Sequence, residues 1–287
     1  MAIVITEQEQ AILASVKIPP RPKALMTIND EMQQPEPSIK VIADIISEDA
    51  SLSASVLFIV NSAVYRREKV IRSIHQAVMT LGIKRIFPLV KAVALKNSLP
   101  ENDLLNTFWD TSSLVALACS QYVELLNRPD LVDNAYMMGL FHNAGIPVML
   151  QAFDGYGSML KKGIDEGWEG ICELEQNKFN TSHTLLGAVL AQQWKLSTPM
   201  VDVIYYFHEG DGIFESDELS DIGLFLFCVL KLARSSVEGL LKNDYDTNEW
   251  LLVEEQVMEY LKVDEHNLDN MRESISELLQ NEQVNAL

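Results

Sequence analysis

The sequence is poor in cysteine and has no apolar run long enough to cross a membrane. Its three cysteines, Cys119, Cys172 and Cys228, are far apart and form no Cys-x-x-Cys pair. This spacing argues against a disulfide framework and a thiolate zinc site, so we expect core thiols. No apolar stretch approaches the roughly 18 to 20 residues of a membrane-spanning helix, and the first ten residues lack a signal-peptide pattern. We therefore expect a cytoplasmic protein with no membrane partner.

Glycine-rich phosphate-binding motifs are also missing. Neither G-x-x-x-x-G-K-[ST] nor G-x-G-x-x-G occurs, which excludes the two commonest nucleotide-binding loops. No Ser-His-Asp or Cys-His arrangement can be recognised from the spacing of these residues. The 287 residues are nevertheless 48% hydrophobic, which is enough to bury one large core or two smaller ones. We expect a globular protein and predict no cofactor.

Basic residues are scarce, because 22 Lys and Arg stand against 41 Asp and Glu, a net charge of −19. This charge repels phosphate backbones, so nucleic acid is not an expected partner. The charge is unevenly distributed: residues 1–100 hold 12 Lys and Arg against 9 Asp and Glu, which leaves 10 against 32 for residues 101–287. Arg66, Arg67 and Arg72 supply part of the positive balance. They could bind an acidic partner or simply form a solvated surface.

Apolar residues recur at helical spacing along almost the whole chain, while strand-like alternation is hard to find, so we predict an all-α fold. Ser73 followed by Gln76 is a capping box that starts one helix, and Asn61 is expected to end another and to bond the backbone that follows. We further predict helices over residues 112–126, 222–234 and 251–261. A final helix is predicted to bury an apolar stripe, which consists of Leu268, Met271, Ile275 and Leu278.

The helical periodicity breaks between residues 98 and 106, where the charge balance also changes sign. Two differently charged halves favour two modules. We predict a multi-helix bundle with an N-terminal module over residues 1–100 and a second module over residues 101–235. An acidic helical extension, residues 236–287, is predicted to pack on the second module.

Three of the five histidines stand at predicted helix ends: His142, His183 and His208. In a helical bundle, inward side chains from separate helices can converge on one metal ion. A hydrolytic metal centre also needs carboxylates that hold and bridge the cations, and an open position for water. Asn143, beside His142, supplies only a neutral amide oxygen. We therefore expect a structural role for the three histidines, with hydrogen bonds inside the bundle.

The segment Gly139-Leu140-Phe141-His142-Asn143-Ala144-Gly145 resembles the metal-binding His-Asp segment of the HD superfamily of phosphohydrolases, with Asn in place of Asp. The order of several further segments resembles the HDOD domain, a relative of HD domains that is generally described as regulatory and without demonstrated hydrolase activity. The resemblance covers about residues 15–235. The segments that carry it are residues 18–22, 45–52, 61–63, 73–82 and 108–112, followed by His183, Gly187-Ala188, Trp194, Pro199 and His208-Glu209.

The resemblance implies that the metal site is incomplete and that an HD-like helical core lies in the second module. Active HD enzymes are expected to carry a histidine where Thr111 stands, an aspartate where Asn143 stands, and often a His-His pair where this chain has His208-Glu209. We therefore expect no catalytic residue and no metal. A single ion held by the three histidines is the alternative. The expected remnant site comprises Thr111, His142, Asn143, His183, His208 and Glu209.

For function, the resemblance implies a bacterial signal-transduction protein that regulates by binding a protein partner or a small effector. Arg66, Arg67 and Arg72 are its candidate partner-binding residues. A metal-dependent phosphohydrolase of the HD type with an atypical ligand set is the alternative. A third hypothesis is that the basic N-terminal module recruits an acidic protein or nucleotide while the acidic module serves as a scaffold.

Overall fold

The computed structural model describes residues 7–19, 22–61, 70–98, 103–168, 170–242, 245 and 247–285, and none of them lies in a β-strand. The predicted all-α fold is confirmed. Within the same residues, no helix combines the length and the hydrophobicity needed to cross a bilayer. The α-helices are α1 Glu7–Ser15, α2 Lys23–Met32, α3 Ile39–Ser47, α4 Ala50–Val60, α5 Ile74–Leu81, α6 Ile83–Ser98, α7 Asp103–Leu125, α8 Val132–Phe141, α9 Gly145–Ala152, α10 Tyr156–Glu166, α11 Ile171–Phe179, α12 His183–Gln193, α13 Thr198–Tyr206, α14 Asp221–Lys242, α15 Asn248–Leu251, α16 Glu254–Leu261 and α17 Glu265–Asn285. Two short 3-10 helices span Pro129–Leu131 and Asp211–Glu215.

Local hydrogen bonds set several of the helix ends in the N-terminal half. The Oγ of Ser73 accepts from the backbone N–H of Gln76 at 3.2 Å, which confirms the predicted start of α5. Asn61 ends α4, as predicted, and its amide bonds both backbone groups of Ile71: Nδ2 donates to the carbonyl and Oδ1 accepts from the N–H, each at 2.9 Å. Asn61 thus has a folding role, because it joins the end of α4 to the chain that leads into α5.

Three of the predicted helix boundaries were wrong. Helix α7 begins at Asp103 rather than near residue 112, because Leu105, Phe108 and Trp109 are buried at helical spacing. Helix α14 continues to Lys242, eight residues beyond the prediction. The helix predicted over residues 251–261 is two helices, α15 and α16, which are separated at Val253.

Helix α7 lies at the centre of the second half, where it packs against α8, α14 and α17. The approach of α8 is close because of Gly139: a Cβ there would lie 2.5 Å from the Cα of Ala116 on α7. Nearby, α12 packs against α9 and α13. Gly145, at the start of α9, lies against the backbone of His183, so the C-terminal end of α8 and the N-terminal end of α12 are close neighbours.

The two halves of the chain are in direct contact. Helix α6 packs against α8, and the Arg85 guanidinium pairs with Asp133 at 3.3 Å. The indole Nε1 of Trp194, which is fully buried, donates to the carbonyl of Pro19 at 3.1 Å. The buried apolar side chains form one continuous cluster from Leu25 to Leu279. A division into modules near residue 100 stays a prediction.

The C-terminal helix α17 packs against α7 and α14. Of the predicted stripe, Leu268 and Ile275 are buried, while Met271 and Leu278 are half-buried; Leu279 is the more deeply buried neighbour. The guanidinium of Arg272 donates to Ser235 Oγ at 2.9 Å. The segments after residue 236 therefore contribute to the core of the second half.

Candidate functional site

The histidines His183 and His208 meet in a buried polar cluster of the second half. His183 is the first residue of α12, where the Oγ of Ser182 accepts from the Leu185 N–H at 3.1 Å and so caps the helix. His208 follows the end of α13. The His183 side chain is 0% exposed and that of His208 is 10% exposed. Two of the three predicted histidines thus share one interior site.

A buried carboxylate orients His183. Glu175, on α11, accepts from His183 Nδ1 at 2.8 Å through Oε2 and from the His183 backbone N–H at 2.8 Å. The Tyr156 hydroxyl donates to its Oε1 at 2.6 Å. Burial opposes the ionisation of Glu175, but the contacts with His183 and Tyr156 overcome it and lower the carboxyl pKa. Glu175 is therefore an anion that fixes Nδ1 of His183 as a donor.

A second carboxylate orients His208 in the same way. Glu249, on α15, accepts from His208 Nδ1 at 2.9 Å through Oε1. The same oxygen lies 3.3 Å from Lys231 Nζ, and Oε2 lies 3.2 Å from an Arg234 guanidinium nitrogen. Burial would raise the pKa of Glu249, yet Lys231, His208 and Arg234 together hold it well below its usual range. Glu249 thus links His208 to Lys231 and Arg234 of α14.

The two imidazoles meet through their remaining nitrogens, since His183 Nε2 lies 3.0 Å from His208 Nε2. A neutral imidazole has one donor and one acceptor nitrogen. Each Nδ1 faces a carboxylate and donates to it. Burial lowers the pKa of His208 to about 4, so this ring is neutral at neutral pH and its Nε2 is an acceptor. A lone pair of His208 therefore faces Nε2 of His183.

Aromatic rings surround the pair. The Trp168 ring stacks on His208 with centroids 6.2 Å apart and lies 5.8 Å from His183. Phe207 lies 4.7 Å from His208. The Arg234 guanidinium lies over the rings of both Trp168 and Phe207, at 5.8 and 5.6 Å. This arrangement keeps the charged groups of the cluster in a water-poor environment.

His142 lies beside the pair rather than in it. Its Nδ1 bonds the carbonyl of Gly139 at 2.6 Å, and its ring contacts Phe207 at 5.2 Å between centroids. Burial, with a contribution from Arg234, holds the pKa of His142 well below its usual range, so the ring is neutral. Its buried Nε2 and the buried Oδ1 of Asn143 have no hydrogen-bond partner among the described residues.

The remaining predicted site residues are more dispersed. Thr111 is half-buried on α7, and the side chain of Glu209 is exposed. Arg72, which lies two residues before the start of α5, is exposed. Arg66 and Arg67 lie outside the described residues.

Sequence reasoning did not identify several members of the cluster: Glu175, Glu249, Lys231 and Arg234. One signal was available for the two cations, because Lys231 interrupts an otherwise apolar stretch of α14, Leu224 to Ala233, and Arg234 follows it directly. Charged residues in such a stretch are buried only when they are paired. The carboxylates carried no such signal, since their partners lie on other helices.

The fold and the cluster can be compared with known proteins. A model of the HDOD domain matches residues 18–210, about two thirds of the chain. The chain belongs to the HDOD domain family. An uncharacterized protein of Treponema pallidum (strain Nichols) is 27% identical to this HDOD chain over 195 residues, which are 67% of the chain but only 37% of that protein. The HDOD match ends before Lys231, Arg234 and Glu249.

Solved structures share the fold of this HDOD protein. A candidate phosphohydrolase from Shewanella amazonensis SB2B aligns with a TM-score of 0.70 at 22% identity, over 96% of this chain and 97% of that one. An HDOD domain protein of unknown function from Geobacter sulfurreducens aligns with a TM-score of 0.60 at 21% identity, over 94% and 96%. A candidate signal-transduction protein from Marinobacter aquaeolei VT8 aligns with a TM-score of 0.64 at 19% identity, over 98% and 60%. At these identities the likeness shows the fold alone.

Proposed function

We propose that this HDOD protein is a cytoplasmic regulator in signal transduction, which binds a protein partner or a small effector and has no hydrolytic activity. The observation that carries the proposal is Asn143. It is buried beside His142, where a hydrolytic centre of the HD type would need an anionic ligand, and its Oδ1 is a neutral oxygen without a partner in the described structure. A neutral amide cannot offset the charge of two divalent cations.

The burial of the cluster supports the same proposal. His183 is fully buried, and both oxygens of Glu249 already bond His208, Lys231 or Arg234. A substrate phosphate would have to displace these ion pairs to reach the histidines. Breaking a buried ion pair costs about 3 to 5 kcal/mol, so the described arrangement favours a closed site.

We place the partner-binding surface on the N-terminal module, around Arg72. Val70 and Arg72 are both exposed, with Val70 64% exposed, and Arg66 and Arg67 are close in sequence. An apolar side chain beside arginines suits a protein partner, because interfaces favour apolar anchors and arginine. Residues 1–100 have a positive net charge and residues 101–287 a strongly negative one, so this surface lies in the more basic half of the protein.

The phosphohydrolase alternative has one observation in its favour, which is that His142, His183 and His208 are all retained, the first two buried and His208 half-buried. A single experiment tests both functions. Purified protein is screened for hydrolysis of nucleotides and cyclic dinucleotides with Mg²⁺, Mn²⁺ or Zn²⁺, in parallel with affinity capture by the wild type and by Arg72→Glu.

The proposal expects no turnover and a partner whose recovery falls when Arg72 is reversed in charge. Reversal of the charge at the exposed Lys40 is the matched control and is expected to leave recovery of the partner unchanged. Turnover that is lost in both His142→Ala and His183→Ala would establish the phosphohydrolase instead.

A further inference from the structure

The contact between His183 and His208 has the geometry of two ligands that share one cation. Metal-bound histidines commonly donate their other ring nitrogen to a carboxylate, which fixes the tautomer and directs the free nitrogen at the metal. Glu175 and Glu249 hold the two Nδ1 atoms in this way, at 2.8 and 2.9 Å. Two imidazole nitrogens on one tetrahedral zinc ion lie roughly 3.3 Å apart, and the Nε2 atoms here are 3.0 Å apart.

A third ligand stands beside them. Cys172, on α11, places its Sγ in a group with ligand atoms of His183 and His208 in which all three atoms lie within 4.8 Å of one another. The thiol is half-buried, and its sulfur lies 4.0 Å from Thr184 Oγ1. Glu175 follows Cys172 by three residues on the same helix, so one turn of α11 supplies both a ligand and the carboxylate that orients His183.

Two carboxylates lie next to the histidine pair, since Glu175 bonds His183 and Glu249 bonds His208. Glu249 is also paired with Lys231 and Arg234, whereas the polar contacts of Glu175 are with His183 and Tyr156. Negative charge beside the ligand nitrogens favours a bound cation in a water-poor site.

We propose that Cys172, His183 and His208 bind one transition-metal ion of the zinc class. Thiolate and imidazole ligands select such ions over Mg²⁺ and Ca²⁺, which require oxygen. The site shares His183 and His208 with the expected HD-like remnant, but it has no carboxylate ligand and uses neither Asn143 nor His142. It replaces our sequence-based expectation of no metal and of three core thiols. It does not depend on the proposed regulatory function.

Metal binding at this site would join three separate parts of the chain: α11, the start of α12 and the residue pair after α13. The metal binds the thiolate form of Cys172, so binding releases the thiol proton to solvent. The ion would thus stabilise the packing of these helices and tighten the site further against solvent.

Cobalt titration of the full-length protein tests the proposal. The chain is freed of metal with a chelator and titrated with Co²⁺, whose absorption reports ligand type and geometry. We expect one equivalent to bind with a sulfur-to-cobalt charge-transfer band and four-coordinate d–d bands, and one equivalent of Zn²⁺ to displace it. Cys172→Ala should lose the charge-transfer band and bind at least tenfold more weakly. Cys119→Ala, a buried thiol on α7, is the control and should retain both.

X-ray absorption of the unmodified zinc-loaded protein gives a second measurement that needs no variant to fold. It should show one sulfur at about 2.3 Å and two imidazole nitrogens at about 2.0 Å. The proposal is overturned if the wild type takes up no stoichiometric metal, if the shell contains no sulfur, or if Cys172→Ala binds and absorbs like the wild type. Any of these results leaves partner binding by the regulator untouched.

Discussion

Gly145 lies directly against the backbone carbonyl of His183. A Cβ on Gly145 would come within 1.8 Å of that oxygen and within 2.6 Å of the Gly187 N–H nitrogen. The start of α9 can therefore approach the start of α12 only because residue 145 has no side chain. Close packing therefore explains why glycine stands at the end of the His142-Asn143-Ala144-Gly145 segment.

Gly145→Ala should consequently destabilise the fold. Backbone atoms rather than a flexible side chain meet the new methyl group, so α9 and α12 must separate, at an expected cost of about 2 to 3 kcal/mol in the free energy of unfolding. Urea denaturation followed by circular dichroism measures it. Gly212→Ala is the control, because nothing lies within 4 Å of a Cβ there. Equal urea midpoints for the two variants would contradict the packing argument.

Glu249→Gln should also be costly. The substitution removes the anion that pairs with Lys231, Arg234 and His208, and leaves two buried cations with a single carboxylate, Glu238. Removing one partner of a buried ion pair costs about 3 to 5 kcal/mol. Glu255→Gln, at an exposed position on α16, should change the free energy of unfolding by less than about 0.5 kcal/mol. A loss no larger than that of the control would show that Glu249 is dispensable for the cluster.

Two serines offer a matched test of helix capping at the site. Ser182 and Ser197 both precede helices in extended conformation, but only Ser182 accepts a hydrogen bond from its helix, at 3.1 Å from the Leu185 nitrogen. Ser182→Ala should lower the free energy of unfolding by about 1 kcal/mol. Ser197→Ala should have little effect. Thermal denaturation of both variants measures the difference, and a larger loss at Ser197 would argue against the cap.

Asp202 on α13 provides a pH-dependent prediction. Its side chain is buried, and burial, with repulsion from Glu218, raises its pKa. A carboxyl with a raised folded-state pKa lowers stability once the pH exceeds the unfolded value of about 3.9. Asp202→Asn should thus gain stability over the wild type at pH 7, and the gain should shrink as the pH falls toward 3.5.

Denaturation at both pH values measures that gain. Asp154→Asn, an exposed aspartate, should show no such pH-dependent difference. If the stability of Asp202→Asn relative to the wild type were the same at pH 7 and pH 3.5, burial would not be what raises the pKa of Asp202.

The sequence predicted those features that depend on neighbours close along the chain. The helical class follows from the apolar periodicity, the start of α5 from Ser73 and Gln76, and the end of α4 from Asn61. Positions of His142, His183 and His208 at helix ends were likewise predictable. Their carboxylate partners were not, because Glu175 and Glu249 reach the histidines from helices whose placement depends on the packing of the whole bundle.

The start of α7 illustrates the same limit. The polar residues around residue 100 predict an interruption of the helical pattern, and residues 99–102 lie outside the described residues. Helix α7 begins at Asp103, earlier than predicted, because burial of Leu105, Phe108 and Trp109 stabilises helix from there onward. Local polarity signals a break, but tertiary packing decides where the next helix begins.

Glu249 lies outside residues 18–210, which match the HDOD family, and a fragment limited to those residues would lack it. The residues that define HDOD membership end at residue 210, whereas Glu249, which bonds His208, lies on α15, and Lys231 and Arg234, which pair with Glu249, lie on α14. A fragment cut at that limit would retain the recognisable pattern but leave the His208 ring without its carboxylate. The stretch by which the family is recognised is therefore shorter than the stretch that completes the buried polar cluster around His183 and His208.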